Sequence, residues 1–170
     1  VYHASLGNTK NMRLNLTDAV ATSTAFWNDT TPTSTLVSLG DNATTNSSGT
    51  YVAYCFAEVK GFSKMGSYTG NGNADGPFIY TGFKPAWIMI KSATTAESWM
   101  LFDNKRLGFN PDNDYLLANN TDAEPADEEV LDIVSNGFKP RVTAGTLNTS
   151  GQTYIYMAFA EEPLVTSTGI

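Results

Sequence analysis

A single cysteine and a single histidine stand among 170 residues, and that shortage excludes several chemistries at once. Cys55 has no partner for an internal disulfide, so packing and sheet hydrogen bonds must hold the chain together. Zinc sites built from Cys and His need more of both. His3 stands without the positioned carboxylate that a Ser-His-Asp or Cys-His arrangement requires. Charge is scarce as well: charged residues make up 16%, the net charge is −7, and the Lys and Arg residues are scattered, with Lys105-Arg106 the one adjacent pair. With no basic patch for phosphate contact, no nucleic-acid partner is expected. No run of 18 apolar residues occurs, so no membrane-spanning segment is expected either. The start, Val1-Tyr2-His3, has no basic flank and no apolar signal segment, and it reads like the middle of a strand. The chain is therefore expected to be a piece of a longer protein.

What is present favours strands. Aromatic residues make up 12%, and Thr, Ser, Asn and Gly are abundant, a mixture suited to short strands joined by many turns. Residues 51–58 give the clearest alternation. Tyr51, Ala53, Cys55 and Ala57 share one face, and Val52, Tyr54, Phe56 and Glu58 the other. Trp87-Ile88-Met89-Ile90 is apolar on both faces, which predicts a strand in the middle of a covered sheet. Further strands are predicted over 78–81, 98–103, 115–118, 130–134, 138–142 and 153–161, with two or three in the stretch from Gly66 to residue 100. Asn71-Gly72, Asp75-Gly76 and Asn136-Gly137 predict turns, and residues 124–132 allow a helical turn. The expected fold class is all-β, a two-layer β-sandwich of jelly-roll or lectin-like type.

The sequence also repeats itself. Residues 48–58 return at 150–161, so that Thr50-Tyr51-Val52 and Phe56-Ala57-Glu58 answer Thr153-Tyr154-Ile155 and Phe159-Ala160-Glu161. Thr17-Asp18-Ala19 answers Thr121-Asp122-Ala123 at nearly the same offset. The division this predicts is 1–64 as the C-terminal part of a first sandwich and 65–170 as a complete second one. Strands of an incomplete sheet expose edges and half a core. The first copy is thus expected to be completed by upstream chain or by another subunit. Cys55 answers Ala158, so it reads as a small packing position.

Candidate ligand-binding residues are few. Asn71, Asn73 and Asp75 place side-chain oxygens at the spacing that opens an EF-hand loop, but Gly82 stands where the closing Glu belongs. Asn110-Pro111-Asp112-Asn113-Asp114 is a second oxygen-rich loop, leading into Tyr115. Both loops read as turns. No metal or other cofactor is expected, with Asp75, Asp112 and Asp114 the weak calcium candidates. Of the tryptophans, Trp87 reads as core and Trp99 as half-buried. Trp27, before the Pro32 turn, reads as the exposed aromatic able to stack on a sugar ring. The set of ligand-contacting candidates is Trp27, Asn71, Asn73, Asp75, Asp112, Asp114 and Tyr115. Glycoside hydrolysis needs one carboxylic acid raised in pKa within a cleft. The acidic run Glu124, Asp127, Glu128, Glu129 and Asp132 reads as a solvated loop, so no catalytic residue is assigned and no enzyme is expected. Asn-X-Ser/Thr triplets stand at Asn15, Asn28, Asn42, Asn46, Asn119 and Asn148.

Taken together, residues 51–58, Gly61-Phe62-Ser63-Lys64, Gly66-Ser67-Tyr68-Thr69-Gly70-Asn71-Gly72, Gly76-Pro77-Phe78-Ile79-Tyr80-Thr81-Gly82-Phe83, Pro85-Ala86-Trp87-Ile88-Met89-Ile90-Lys91 and residues 153–161 resemble a tandem β-domain of bacteriophage virion proteins. That family carries the label of a domain of unknown function and occurs in tail-fibre-like and other large structural chains. The resemblance implies a virion-surface structural or host-recognition module. It implies other virion subunits as partners, a homo-oligomer, and a host glycan or receptor as ligand. Two alternatives stay open: a carbohydrate-binding module of a cell-surface protein, and a capsid-decoration or filament-forming subunit.

Overall fold

The computed structural model describes residues 1–106, 110, 114–125 and 128–162, and every regular element in it is a strand. The ten strands are β1 (Lys10–Asn11), β2 (Ala21–Thr22), β3 (Ser63–Thr69), β4 (Ile79–Tyr80), β5 (Pro85–Ser92), β6 (Met100–Asp103), β7 (Tyr115–Leu117), β8 (Leu131–Val134), β9 (Gly137–Pro140) and β10 (Thr153–Ala160). They form a five-stranded sheet in the order β3-β10-β5-β6-β7, a three-stranded sheet β4-β9-β8, and the small pair β1-β2. All pairings are antiparallel. The two larger sheets come entirely from residues 63–160, and the core between them makes a sandwich.

Alternation explains the layering. On β10, Tyr154, Tyr156 and Ala158 point into the core, where they meet Ile79, Leu131, Ile133 and Phe138 from the smaller sheet. Tyr68 stacks on Tyr154 with ring centroids 5.0 Å apart, and Phe138 sets its edge against both Tyr68 and Tyr156. The other face of β10 presents Ile155, which packs with Met12 and Trp99 beneath Leu6 and Val20. The doubly apolar β5 is thus the middle strand of the larger sheet, covered on both faces, as its sequence predicts. Two glycines are needed for close approach. A Cβ on Gly137 would lie 2.0 Å from the Ile79 carbonyl oxygen, and one on Gly66 would lie 2.7 Å from the Tyr156 hydroxyl.

Residues 1–62 depart from the expected half-sandwich. Within them only β1 and β2 pair, and the segment lies across the outer face of the larger sheet. Trp99 donates its indole N–H to the Arg13 carbonyl at 2.9 Å, and Val20 donates its amide to Ala93 at 3.1 Å. The strand predicted over 51–58 is corrected: those residues join no ladder, because no described strand lies alongside to accept their backbone hydrogen bonds. In the 124–132 stretch the described residues include β8 from Leu131 onward and no helical turn; 126 and 127 lie outside the described residues.

His3 pins the outer layer. Its Nε2 is 3.1 Å from the Tyr156 carbonyl oxygen, and its Nδ1 accepts the Ser5 amide at 3.2 Å, the pattern of a neutral ring protonated at Nε2. Burial pushes its pKa below the ordinary 6.5, partly opposed by the Tyr156 hydrogen bond and by Glu58. A base with a lowered folded pKa contributes fully above its unfolded pKa, and that contribution is lost as the pH falls through the folded value. Acidification below pH 6.5 is therefore expected to loosen residues 1–12. Exchange of the Met12 amide, corrected for the intrinsic pH dependence, measures this, and His3→Gln should flatten the response. In the core, Phe138→Ala is expected to cost about 3–5 kcal/mol in denaturant unfolding, since the ring is fully buried between two tyrosines.

Candidate functional site

The oxygen-rich loop after β3 is the first place to look for a ligand, and its oxygens are already engaged. Asn71 Oδ1 accepts the Asn73 amide at 2.9 Å, and Asn73 Oδ1 accepts the Asp75 amide at 2.9 Å. These are consecutive Asx turns, which share their one-on, one-off spacing with a calcium loop. Asn148, fully buried, locks the loop from the far side of the sequence. Its Nδ2 donates to Asn71 Oδ1, the Asn73 carbonyl and the Val142 carbonyl at 2.7–3.0 Å, while its Oδ1 accepts the Asn71 amide at 2.9 Å. The Asp75 carboxylate lies 2.5 Å from the Lys139 ammonium and 3.5 Å from Arg141, and the Lys139 hydrogen bond holds it below the usual carboxylate range. The loop is thus folded as the turn its sequence suggested, and the oxygens that made Asp75 a weak calcium candidate are engaged by the fold. Asn148 also leaves the glycosylation list, being enclosed.

The second loop behaves alike where it is described. Asn110 Oδ1 accepts the Ile133 amide and its Nδ2 donates to the Ile133 carbonyl, so one side chain substitutes for a neighbouring strand along β8. Asp112 lies outside the described residues. Asp114 is half-buried, and Tyr115 begins β7 with its ring 5.9 Å from Phe102, its pKa raised by burial and by Glu128. Asn71, Asn73 and Asp75 are thus brought together; Asp114 and Tyr115 belong to another loop and strand.

Trp27 is a correction too. It is buried, donates its indole N–H to the Lys10 carbonyl at 2.8 Å, and meets Tyr2 edge-on at 5.7 Å. Nothing local foretold this, because both partners come from the sequence before it. Exposed aromatics lie elsewhere: Phe78 and Tyr80 flank the buried Ile79 on the outer side of β4.

The ionisable groups hold structure. Glu161 bridges Lys84 at 2.8 Å and Lys105 at 3.1 Å, which hold its pKa at about 2. Asp103 accepts from Arg106, which also pairs with Glu124. The carboxylates with resolved shifts among the described residues are all lowered, the reverse of what a proton donor at neutral pH requires. Lys91 is fully buried, and burial lowers its pKa to about 8 against the pull of Glu97 and Asp18; its ammonium donates to the Ser92 carbonyl at 2.7 Å. No group of three His, Cys, Asp or Glu among the described residues is placed to share a metal ion, and no described helix could cross a membrane.

What the fold leaves unspent is residues 51–58. Every residue from 46 to 60 is exposed, with Val52 at 77% and Tyr54 at 83%. The segment touches the sandwich at its end. Phe56 sets its ring edge on Phe159 at 5.7 Å, the Ala57 carbonyl accepts the Ser63 hydroxyl, and Glu58 accepts the Met65 amide while pairing with Lys64. Apart from the Tyr51 hydroxyl, which bonds Ser47 and the Ala43 carbonyl, the rest of the segment is exposed and joins no ladder, and β3 is an edge strand with no strand paired beyond it. Such a segment is a template for strand pairing.

Asn148→Ala tests the account of the first loop. It is expected to cost about 1–3 kcal/mol in denaturant unfolding, through the Asn71 amide left without its acceptor, and to speed amide exchange at Asn73 and Asp75. Unchanged stability would contradict the lock.

Residues 1–163 match a family described as "Domain of unknown function (DUF7483)". No curated protein and no solved structure matches the chain.

Proposed function

We propose that this chain, which belongs to the DUF7483 family, is a non-catalytic structural module of a phage surface appendage of tail-fibre type, joined to its neighbours by strand contacts. One observation carries the reading. Residues 50–57 contain no charge, alternate as a strand does, and lie in water without a ladder. A lone monomer gains nothing from such a segment, whereas an assembling chain gains a joint. The resemblance to tandem virion β-domains points the same way. A receptor-contacting role falls to the exposed Phe78 and Tyr80 on the smaller sheet. A capsid-decoration subunit would use the same joint. The carbohydrate-module alternative loses its stacking platform with Trp27 buried.

Sedimentation equilibrium over a roughly hundred-fold concentration range tests the joint. The full chain is expected to associate reversibly, and Val52→Asp with Tyr54→Asp to stay monomeric with an unchanged thermal transition. No turnover of polysaccharide or ester substrates is expected from either protein. A wild-type chain that stays monomeric throughout would overturn the reading.

A further inference from the structure

Residues 50–58 repeat the sequence of one strand whose surroundings are known. Thr50, Tyr51, Phe56, Ala57 and Glu58 stand where β10 and the residue after it have Thr153, Tyr154, Phe159, Ala160 and Glu161; Val52 answers Ile155 and Cys55 answers Ala158. β10 is paired on both edges, to β3 from Thr153 through Phe159 and to β5 from Tyr154 through Ala160. Tyr154 and Ala158 are fully enclosed, and Ile155 nearly so. A sequence suited to that position is suited to hydrogen bonds on two edges and cover on two faces. In residues 51–58 the same residue types have almost none of this. An open edge such as that of β3 in a second copy would satisfy one side only.

We infer that residues 51–58 form the central strand of another unit of this same fold, inserted between its β3-like and β5-like strands at a vacant β10 position. The inference rests on the structural reading above and names the partner that completes the joint, whereas two complete chains, each with β10 filled, can pair along one edge only. Its chemistry follows from the register. Tyr51, Cys55 and Ala57 face the partner's core, and Val52 and Phe56 its outer layer. Ala53 stands where Tyr156 overlies Gly66, so the partner strand has room for a side chain there.

Cys55 is the only thiol in the chain and is exposed, which makes it the reporter. Residues 63–150, a unit without β10, are joined by a flexible linker ahead of the full chain. In this fusion Cys55 is expected to react with a disulfide reagent at least about a hundred-fold more slowly than in the chain alone, because modification now requires opening of a folded sheet. A second fusion carries residues 63–162, whose β10 position is filled, and its Cys55 should stay reactive. Equal rates in the first fusion and the chain alone, or protection in both fusions, overturns the inference. A second variant works without fusion: Ile155→Val, Met157→Tyr and Ala158→Cys, with Cys55→Ala, transplants most of the segment into β10 of the full chain. It is expected to unfold cooperatively with the introduced thiol protected; loss of the folded state overturns the inference. A chain that stays monomeric on sedimentation yet shows protection in the first fusion refutes self-association and leaves strand insertion standing. An associating chain with a reactive Cys55 in that fusion does the reverse.

Discussion

A buried strand must satisfy its backbone on both edges and its side chains on both faces, and in this protein β10 is where that requirement is met most completely. Its two ladders join β3 to β5, and through β5 to β6 and β7. Its inward tyrosines set the spacing to the smaller sheet, and its outward Ile155 fixes where Met12 and Trp99 settle. His3 reaches the Tyr156 carbonyl, so even the outer layer is referred to this strand. The exposed segment 51–58 is informative for the same reason: it has the residues of such a strand and lacks its neighbours.

Much of the sandwich was legible because burial writes alternation into sequence. β5 announced itself by being apolar on both faces, and β8 and β9 by a polar turn between short apolar runs; each is found where its pattern put it. β3 was legible only as part of a longer stretch, since Ser63–Thr69 holds few apolar residues and borrows the Tyr156 ring to cover Gly66. Residues 51–58 show the limit. Periodicity records what a segment is suited to touch, while the ladder depends on whether a partner is beside it. Trp27 fails as an exposed residue for a related reason, its burial being decided by Tyr2 and Lys10.

The oxygen-rich loop, read from its sequence as a turn with calcium only a weak candidate, shows a different limit. Its spacing was read correctly, but the same spacing serves a bound cation and a run of Asx turns. Choosing between them needed Asn148, which stands 77 residues away from Asn71, and the cationic partners Lys139 and Arg141 on and just beyond β9. No local signal joins those positions. Asn148, Asn110 and Ser63 follow the same pattern, their side chains spent on the backbone of neighbouring segments.

The lock around Asn71 also bears on chemical ageing. An asparagine before glycine ages when the glycine nitrogen closes onto the side-chain carbonyl and ammonia departs, a ring closure that an absent Cβ leaves unhindered. At Asn71 both participants are held. The Gly72 amide is bonded to the Asn148 carbonyl at 2.9 Å, and the Asn71 amide group is bonded to Asp75 and Asn148. Asn136 also precedes a glycine, yet its side chain stands exposed at the β8–β9 turn. Slow loss of ammonia over the life of the protein therefore falls on the hairpin tip at Asn136 and spares the loop that ties β3 to the approach of β10.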